Sequence, residues 1–426
     1  MGVLDIGQAV NVGLEKVRPV LPVLYEQDDM FLGLLLTKGD VQKVGARLMR
    51  LPLQIKPGGK GRAVNFGGGD LGRGSGTQYD VAQVTPQGFA FAIEWQKIAE
   101  YATDADQKAI TNLVSREIKN AMKQFRTFLD QIAQTAGNGV IGTISAINGQ
   151  VLTLANPPGC TRLYETQDVQ VYDTTITTNR GRFTTINVDP FGKTVGADPS
   201  TPLPAGTIVG DVLVYDGLTG AQPIGLFGIP YFQNNATSGI YLNLSRTVYP
   251  VQLKTPSVNL ANASITPAAI MQAINFIRKA LGTAQAGGGG KASKLIAYVN
   301  TEQFHQYRQL GITISTIIKE GGANQEVDDL ELNFTGKATW FGAPEKVSIH
   351  ADPTRVDFLD LAHWGRAEMK AIDLYSVDGK TKFPIYGASG GLSAAEISYF
   401  VTLLQIWNDS PRSGAYLYGC AIPPGY

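Results

Sequence analysis

TDADQKAITNLVSREIKNAMKQFRTFLDQIAQTAG, residues 103–137, contains the longest regular apolar pattern in the chain. Its apolar residues recur every three or four positions, the spacing of one helix face; they are Ile110, Leu113, Val114, Ile118, Ala121, Met122, Phe125, Leu129 and Ile132. Thr103 is a suitable N-cap, and Gly137 suits a left-handed residue at the end. The pattern predicts one helix from Asp106 to about Gln134, about thirty residues and ~45 Å long, which would act as a rigid beam.

Two alternating runs precede this helix, and a glycine-rich stretch separates them. Residues 46–56 and 79–95 contain the alternation typical of strands, and the twenty residues 57–76 between them include nine glycines. A stretch of this composition cannot bury a core. The pattern therefore predicts a long two-stranded arm with a flexible tip. Because an isolated ribbon is only marginally stable in water, the arm is expected to need a partner surface.

The eighty residues after the helix change to short strands. Asn148 and Gly149 separate two apolar runs, which is the strongest short signal for a hairpin. Further apolar runs occupy 169–172, 183–188 and 208–215. Closely spaced strands of this kind predict a small all-β barrel or sandwich over residues 139–216.

Beyond residue 216 the patterns alternate between helix and strand. Thr266 and Pro267 form an N-cap and first helical position, and they predict a helix that continues to about Leu281. A short helix is predicted at 301–310. Strands are predicted at 241–248, 251–253, 295–299, 346–350, 356–361, 369–375 and 397–405. The fold class is therefore α+β, and no fixed-period repeat is visible.

The composition excludes several classes of protein. The 426 residues contain 36 Lys+Arg and 36 Asp+Glu, so the chain is neutral and does not suggest binding of nucleic acid through phosphate neutralisation. Two cysteines, Cys160 and Cys420, are too few for a disulfide framework or a four-thiolate zinc site. No stretch approaches the ~20 apolar residues of a membrane span, and the first residues lack a signal-peptide pattern. Charged residues are only 17%, which suggests a surface covered by something else.

Motifs of enzymes are present only in incomplete form. Residues 387–391 match the G-x-S-x-G pattern of hydrolases. The mechanism requires a histidine after the serine in the chain, but no histidine follows His363. The stretches 57–60 and 287–291 lack the upstream glycine and the hydroxyl residue of a phosphate-binding loop. We interpret all three as turns or linkers, and the sequence does not predict an enzyme.

Metal and cofactor sites are likewise not predicted. The three histidines, His305, His350 and His363, are far apart and lack the short spacing of metal ligands. The carboxylates of Asp328, Asp329 and Glu331 could hold a divalent cation, but a solvated acidic loop is the favoured interpretation. We therefore predict no metal, no cofactor and no catalytic residue.

One charge asymmetry suggests contacts between subunits. Six basic residues lie around the glycine-rich stretch: Arg47, Arg50, Lys56, Lys60, Arg62 and Arg73. Five acidic residues and no base lie between residues 320 and 331: Glu320, Glu326, Asp328, Asp329 and Glu331. The two groups either form independent solvated surfaces or meet, with the basic arm of one subunit on an acidic surface of the next. These eleven residues are the candidate contact residues.

The order of the elements resembles that of a known family. An N-terminal arm, a glycine-tipped ribbon, a single long helix and then mixed segments are similar to the major capsid proteins of tailed double-stranded DNA bacteriophages, which have the Hong Kong 97-type fold. Local sequences are similar too: Leu24-Tyr25-Glu26, QPIGLFGI at 222–229, GIYLNLSR at 239–246 and FLDL at 358–361. The resemblance covers nearly the whole chain and depends more on element order than on any motif.

The resemblance implies a division of the chain. Residues 1–45 would form the N-terminal arm, 46–95 the E-loop, and 96–138 the peripheral domain with its spine helix. Residues 139–216 would be an inserted β-domain that the minimal fold lacks. Residues 217–426 would complete the axial and peripheral domains.

The resemblance also implies a function and partners. The chain would assemble through pentamers and hexamers into an icosahedral head that encloses the phage genome, a virion component made in the bacterial cytoplasm. It would work with a scaffolding protein, a portal protein and decoration proteins, and would contact packaged DNA non-specifically, with no membrane. A covalent cross-link through Lys56 or Lys60 is disfavoured. The alternatives are an encapsulin-type nanocompartment, a gene-transfer particle or, least favoured, an enzyme.

Overall fold

The computed structural model describes residues 28–38, 40–43, 48–62, 73–97, 113–155, 158–217, 225–281, 294–309, 339–341, 343–386 and 390–422. Several sequence predictions fall outside these residues. They are most of the predicted N-terminal arm at 1–27, most of the glycine-rich tip of the ribbon at 63–72, the predicted start of the long helix at 103–112, the glycine-rich stretches at 287–290 and 387–389, Arg47 and the acidic residues 320–331.

Strands predominate in the described residues. The strands, β1 to β21 in chain order, are Asp40–Lys43, Met49–Lys56, Gln78–Val84, Gln87–Gln96, Val140–Asn148, Val151–Leu154, Asp168–Tyr172, Asn179–Asp189, Thr194–Ala197, Val212–Tyr215, Ile240–Tyr241, Leu244–Ser245, Ser257–Ala263, Leu295–Val299, Thr339–Trp340, Ala343–Val347, Arg355–Asp360, Trp364–Leu374, Phe383–Tyr386, Leu392–Asn408 and Ala415–Cys420. The helices, α1 to α5, are Met30–Lys38, Leu113–Ala133, Ile229–Phe232, Pro267–Leu281 and residues 301–309. A 3-10 turn covers Pro411–Ser413.

The long helix α2 lies against a five-stranded sheet. This sheet has the order β1-β18-β20-β19, and β4 pairs with β20 as well. The ring of Phe125 lies 6.0 Å from that of Phe91 on β4 and 6.5 Å from that of Phe400 on β20. The predicted apolar face is buried at Ala121, Phe125, Leu129 and Ile132. Met122 was wrongly placed on it, because its side chain is 37% exposed.

The predicted arm is shorter than its sequence pattern. β2 and β3 form an antiparallel ribbon in which Met49 pairs with Val84. The second alternating run is then divided, since residues 85–86 interrupt it and β4 joins the sheet on α2 instead. Alternation of apolar residues predicted both strands correctly, but it does not indicate which strand each of them pairs with.

The predicted all-β module is a closed barrel. Its six strands have the order β10-β5-β6-β9-β8-β7, and β7 closes the barrel on β10. The hairpin at Asn148 and Gly149 is confirmed, with Gly149 at a φ of +61°. The predicted strand at 208–215 is shorter than expected, because Ile208 and Val209 are exposed in a turn and β10 begins at Val212.

The barrel packs against the rest of the chain. The ring of Tyr215 meets that of Phe128 on α2 edge to face, with centroids 5.3 Å apart. Buried Arg162 donates from Nε to the carbonyl oxygen of His350 at 3.2 Å. The Nδ1 atom of His350 lies 2.9 Å from the carbonyl oxygen of Thr161. The barrel is therefore fixed both to α2 and to the loop that follows β16.

The second sheet has six strands in the order β13-β21-β17-β14-β16-β15, and α4 packs on β13 and β21. The predicted cap of α4 is confirmed, since Thr266 Oγ1 accepts a hydrogen bond from the Ala269 N–H at 3.3 Å. This sheet and α4 share a core that includes Ile270, Ile277 and Trp340.

The strands predicted at 241–248 and 251–253 are wrong. Residues 240–245 form a small hairpin in which β11 and β12 pair and Leu242 and Asn243 form the turn. Leu242 has a backbone φ of +59°, a value that residues other than glycine seldom adopt. Residues 251–253 are in a turn. Contacts with residues far away in the sequence hold the chain in this conformation. The local pattern of apolar residues therefore does not predict the hairpin.

Candidate functional site

The ribbon formed by β2 and β3 has two different faces. One face is buried, and its members are Leu53, Ile55, Ala82 and Val84. The opposite face carries Arg50, Pro52, Gln54, Lys56, Tyr79 and Val81. Tyr79 is 67% exposed and Val81 39%. Large apolar side chains in such positions on a projecting ribbon are typical of a surface that contacts another molecule.

The ribbon is fastened to its own chain through the small hairpin at 240–245, which we call the latch hairpin. Asn243 Oδ1 accepts a hydrogen bond from the Gln83 N–H at 2.7 Å, and Asn243 Nδ2 donates to the Val81 carbonyl at 3.3 Å. The Tyr249 hydroxyl donates to Asp80 Oδ2 at 2.8 Å. These contacts support the ribbon on one side, so it depends less on a partner surface than the sequence predicts.

Buried Arg246 maintains the shape of the latch hairpin. Its guanidinium donates to three backbone carbonyls, those of Tyr231, Asn234 and Leu253, at 3.0, 3.2 and 3.0 Å. It also lies 5.2 Å from the centre of the Tyr241 ring. Arg246 therefore joins the latch hairpin to the two chain segments on either side of it.

Five of the six basic candidate residues lie on or next to the ribbon. Arg50 and Lys56 belong to β2, and Lys60, Arg62 and Arg73 follow at its end; all five are exposed. Arg47 and the five acidic candidates, Glu320, Glu326, Asp328, Asp329 and Glu331, lie outside the described residues. The meeting of the two groups therefore stays a prediction.

A second exposed apolar surface lies at the far end of the sheet on α2. It consists of Tyr375, Val377, Tyr386 and Leu392, which are 42%, 42%, 65% and 71% exposed. β19 and β20 pair here, and Tyr386 lies opposite Leu392. We call these four residues the sheet tip.

The helix α1 lies at the junction between the two sheets and α2. The ring of Phe31 contacts those of Tyr298 and Trp364 edge to face. The Leu32 N–H donates to Asp130 of α2 at 2.7 Å, and Asp29 forms a salt bridge with Arg126 at 2.7 Å. A short helix thus connects all three elements.

The carboxyl of Asp130 is buried at this junction. Burial raises the pKa of Asp130 to about 7, and the carboxylates of Asp28 and Asp29 add to the rise. The charge of His350 and the Leu32 N–H oppose it. The side chain is therefore mostly protonated in mildly acidic solution, where its burial costs least.

The sequence motifs at 287–291, 320–331 and 387–389 lie outside the described residues, whereas the buried histidines and cysteines lie within them. His363 and Asp409 form a close pair at 2.5 Å, and His350 is buried against Thr161. Burial raises the pKa of both Cys160 and Cys420 to about 12, which is the behaviour of inert core thiols. In the part of the chain that the structure describes, no group of three His, Cys, Asp or Glu residues could hold a metal ion.

None of the described helices is both long enough and apolar enough to cross a bilayer.

Sequence reasoning missed the latch hairpin. Asn243 lies in the predicted strand 241–248 and Tyr249 directly follows it, and both act on residues more than 150 positions away. The only local sign is a polar Asn243 between two leucines.

Comparison with known proteins gives a fold but no sequence relative. No family model matches the chain, and no curated protein matches it. Among solved structures, the chain is similar to the capsid asymmetric unit of cyanophage A-1(L), with 12% identity, a TM-score of 0.56, and coverage of 95% of this chain and 96% of that one. The capsid of a native GTA particle aligns at 11% identity with a TM-score of 0.46, covering 96% and 95%. An encapsulin complex from Synechococcus elongatus aligns at 8% identity with a TM-score of 0.45, covering 100% and 99%.

Proposed function

We propose that this chain, which has the Hong Kong 97-type fold, is the major capsid protein of a tailed phage. It assembles through pentamers and hexamers into an icosahedral head around a double-stranded DNA genome. The similarity to the cyanophage A-1(L) capsid subunit over 95% of the chain carries this proposal. Among the described residues, the ribbon precedes the long helix, and the barrel and the mixed helices and strands follow it, which supports the proposal.

The distribution of apolar side chains supports a role in a lattice. Tyr79 and Val81 are exposed on the ribbon, and Tyr386 and Leu392 on the sheet tip. Both surfaces lie on projecting elements, where neighbouring copies would cover them. Burying such side chains stabilises each contact by about 25 cal/mol per Å² of apolar surface, and many copies sum these small terms.

Further parts of the proposal concern the domains and partners. The E-loop comprises residues 46–95, and the barrel is an insertion at 139–216 that decorates the shell or strengthens a capsomer. A scaffolding protein, a portal protein and decoration proteins are the expected partners, and DNA is contacted non-specifically. The protein works in the virion after assembly in the host cytoplasm, as a structural protein and not an enzyme.

An encapsulin-type compartment or a gene-transfer particle would use the same fold. The three differ in what the shell contains: a phage genome, a cargo enzyme, or fragments of host DNA. Nucleic acid content therefore separates them.

Electron microscopy of the purified chain tests the proposal. We expect closed shells or capsomer rings, because the ribbon and the sheet tip each expose apolar side chains that only other copies would cover. Size-exclusion chromatography with light scattering provides the mass of the assembled species. A chain that stays monomeric or dimeric at high concentration, with and without co-expressed neighbours of its gene, would contradict it.

Reversing charge on the ribbon tests the basic candidate residues. We expect Arg62→Glu combined with Arg73→Glu to reduce assembly at low salt, since the ribbon would then repel an acidic neighbour. The comparison variant is Arg182→Glu, on the barrel, where the side chain is 66% exposed. Equal yields of particles from both variants would show that the ribbon's charge does not direct assembly.

A further inference from the structure

An open groove of about 330 Å³ lies between α4 and the segment that follows the latch hairpin. It is lined by Thr237, Pro250, Val251, Lys254, Pro256, Ala280 and Arg412. Val251 is 60% exposed, and nearby in sequence Val248 is 64% exposed. The groove is therefore mostly apolar, with two cationic side chains among its lining.

Most of the groove's lining comes from a stretch of the chain without acidic residues. The 85 residues from 217 to 301 contain no Asp or Glu. Their bases include Lys254 in the groove and Arg278 and Lys279 in the last turn of α4, directly before Ala280. Neither Lys254 nor Arg412 forms a salt bridge with a described residue. A ligand that fits this surface is acidic and carries apolar side chains.

The chain contains one segment of this chemistry. Residues 320–331 hold five acids and no base, and Val327, Leu330 and Leu332 alternate with the carboxylates in EVDDLEL at 326–332. Apolar side chains would enter the groove while the carboxylates face its cations, which sets the orientation of the contact.

The strand that follows the groove in the chain, β13, and the strand that follows this segment, β15, are the two edge strands of the second sheet. Pro256 of the groove directly precedes β13, the first strand in the sheet order, whereas the acidic segment connects α5 to β15, the last strand. Five strand spacings of about 4.8 Å separate the two edges by ~24 Å. Two complementary surfaces on different parts of one subunit form a head-to-tail contact, which gives a ring when the rotation between copies closes.

We propose that the groove binds the acidic segment, residues 320–332, of a second copy of this chain. The contact links neighbouring subunits around a ring, and in that respect it rests on the proposed function. In this proposal the acidic residues contact the groove of a neighbouring copy, and not its ribbon.

Peptide binding to the unassembled full chain tests the contact directly. The probe is a fluorescent peptide of residues 320–334, and the receptor carries Asp328→Lys and Asp329→Lys so that its own segment does not compete. We expect Lys254→Glu with Arg412→Glu to weaken binding at least about tenfold, a typical effect for two reversed charge pairs. The matched control, Lys119→Glu with Lys123→Glu on the exposed side of α2, should change it less than about twofold.

Mixing variants distinguishes a contact between copies from one within a copy. The groove variant alone and the Asp328→Lys, Asp329→Lys variant alone should each fail to form rings. A mixture of the two should recover rings, because each reversed groove then meets a reversed segment. Failure of the mixture, while a single chain that carries all four changes still assembles, would place the segment in its own groove and overturn the proposal.

The outcomes also separate this inference from the proposed function. Normal shells from the groove variant would overturn the inference and leave the capsid proposal intact. Peptide binding that depends on Arg62 and Arg73, and not on Lys254 and Arg412, would assign the acidic segment to the ribbon instead. A wild-type chain that never assembles, but whose groove binds the peptide, would contradict the capsid proposal alone.

Discussion

Replacing Gly228 with alanine is expected to prevent the chain from reaching its native structure. A Cβ atom at this position would lie well inside contact distance of the Ala133 carbonyl oxygen and 2.5 Å from that of Thr135. Both obstacles are backbone atoms at the end of α2, so no side-chain rotation relieves the clash. Overpacking typically costs about 1–3 kcal/mol and occasionally more. We expect this substitution to cost more than ~4 kcal/mol, because α2 and α3 must separate.

The measurement is the free energy of unfolding of the unassembled subunit in urea, together with the soluble yield. Gly88→Ala is the control, since a Cβ there has nothing within 4 Å and the residue lies in β4 without a positive φ. It should be neutral or stabilise the subunit by up to about 1 kcal/mol. Equal stability of the two variants would show that the crossing of α2 and α3 tolerates a shift.

Replacing Arg246 with alanine is expected to give the second-largest loss, about 4 kcal/mol. The side chain is 2% exposed, and three backbone carbonyls lose their donor when it is removed. A buried acceptor left unpaired costs roughly 1–3 kcal/mol. Arg246→Lys should recover only part of the loss, because one ammonium cannot reproduce the planar geometry that reaches all three oxygens.

Urea unfolding of the unassembled subunit measures this loss, and proteolysis of the ribbon reports on the latch hairpin. We expect faster cleavage in the ribbon, since Asn243 then loses its fixed position relative to Gln83. Arg182→Ala, where the guanidinium is mostly exposed, should change stability by less than about 0.5 kcal/mol. An Arg246→Ala protein as stable as this control would refute the role given to the buried guanidinium.

Local signals in the sequence were sufficient for the elements with regular periods. The buried face of α2, the turn at Gly149 and the cap at Thr266 all depend on residues within a few positions of one another. Strand spacing alone predicted a small all-β barrel or sandwich, and the structure has the closed barrel. Each of these predictions uses physics that acts over short separations along the chain.

Features that depend on distant partners were not predictable. The pairing of β4 with β20 joins residues some 300 positions apart, and alternation in β4 is compatible with either neighbour. The latch hairpin depends on Arg246 and on the left-handed Leu242, neither of which disturbs a strand-like pattern. For the candidate site, the sequence predicted where charge accumulates and that the arm is exposed, but not the contacts that hold the ribbon.

The amide of Asn243 has one more consequence. Its oxygen and nitrogen meet the Gln83 N–H and the Val81 carbonyl as a peptide group of an additional strand would, so the outer margin of β3 is already occupied. On the other strand, Pro52 has no N–H to offer. Unpaired strand margins promote aggregation by strand addition. The ribbon can therefore stay exposed at high protein concentration without pairing with strands of other copies.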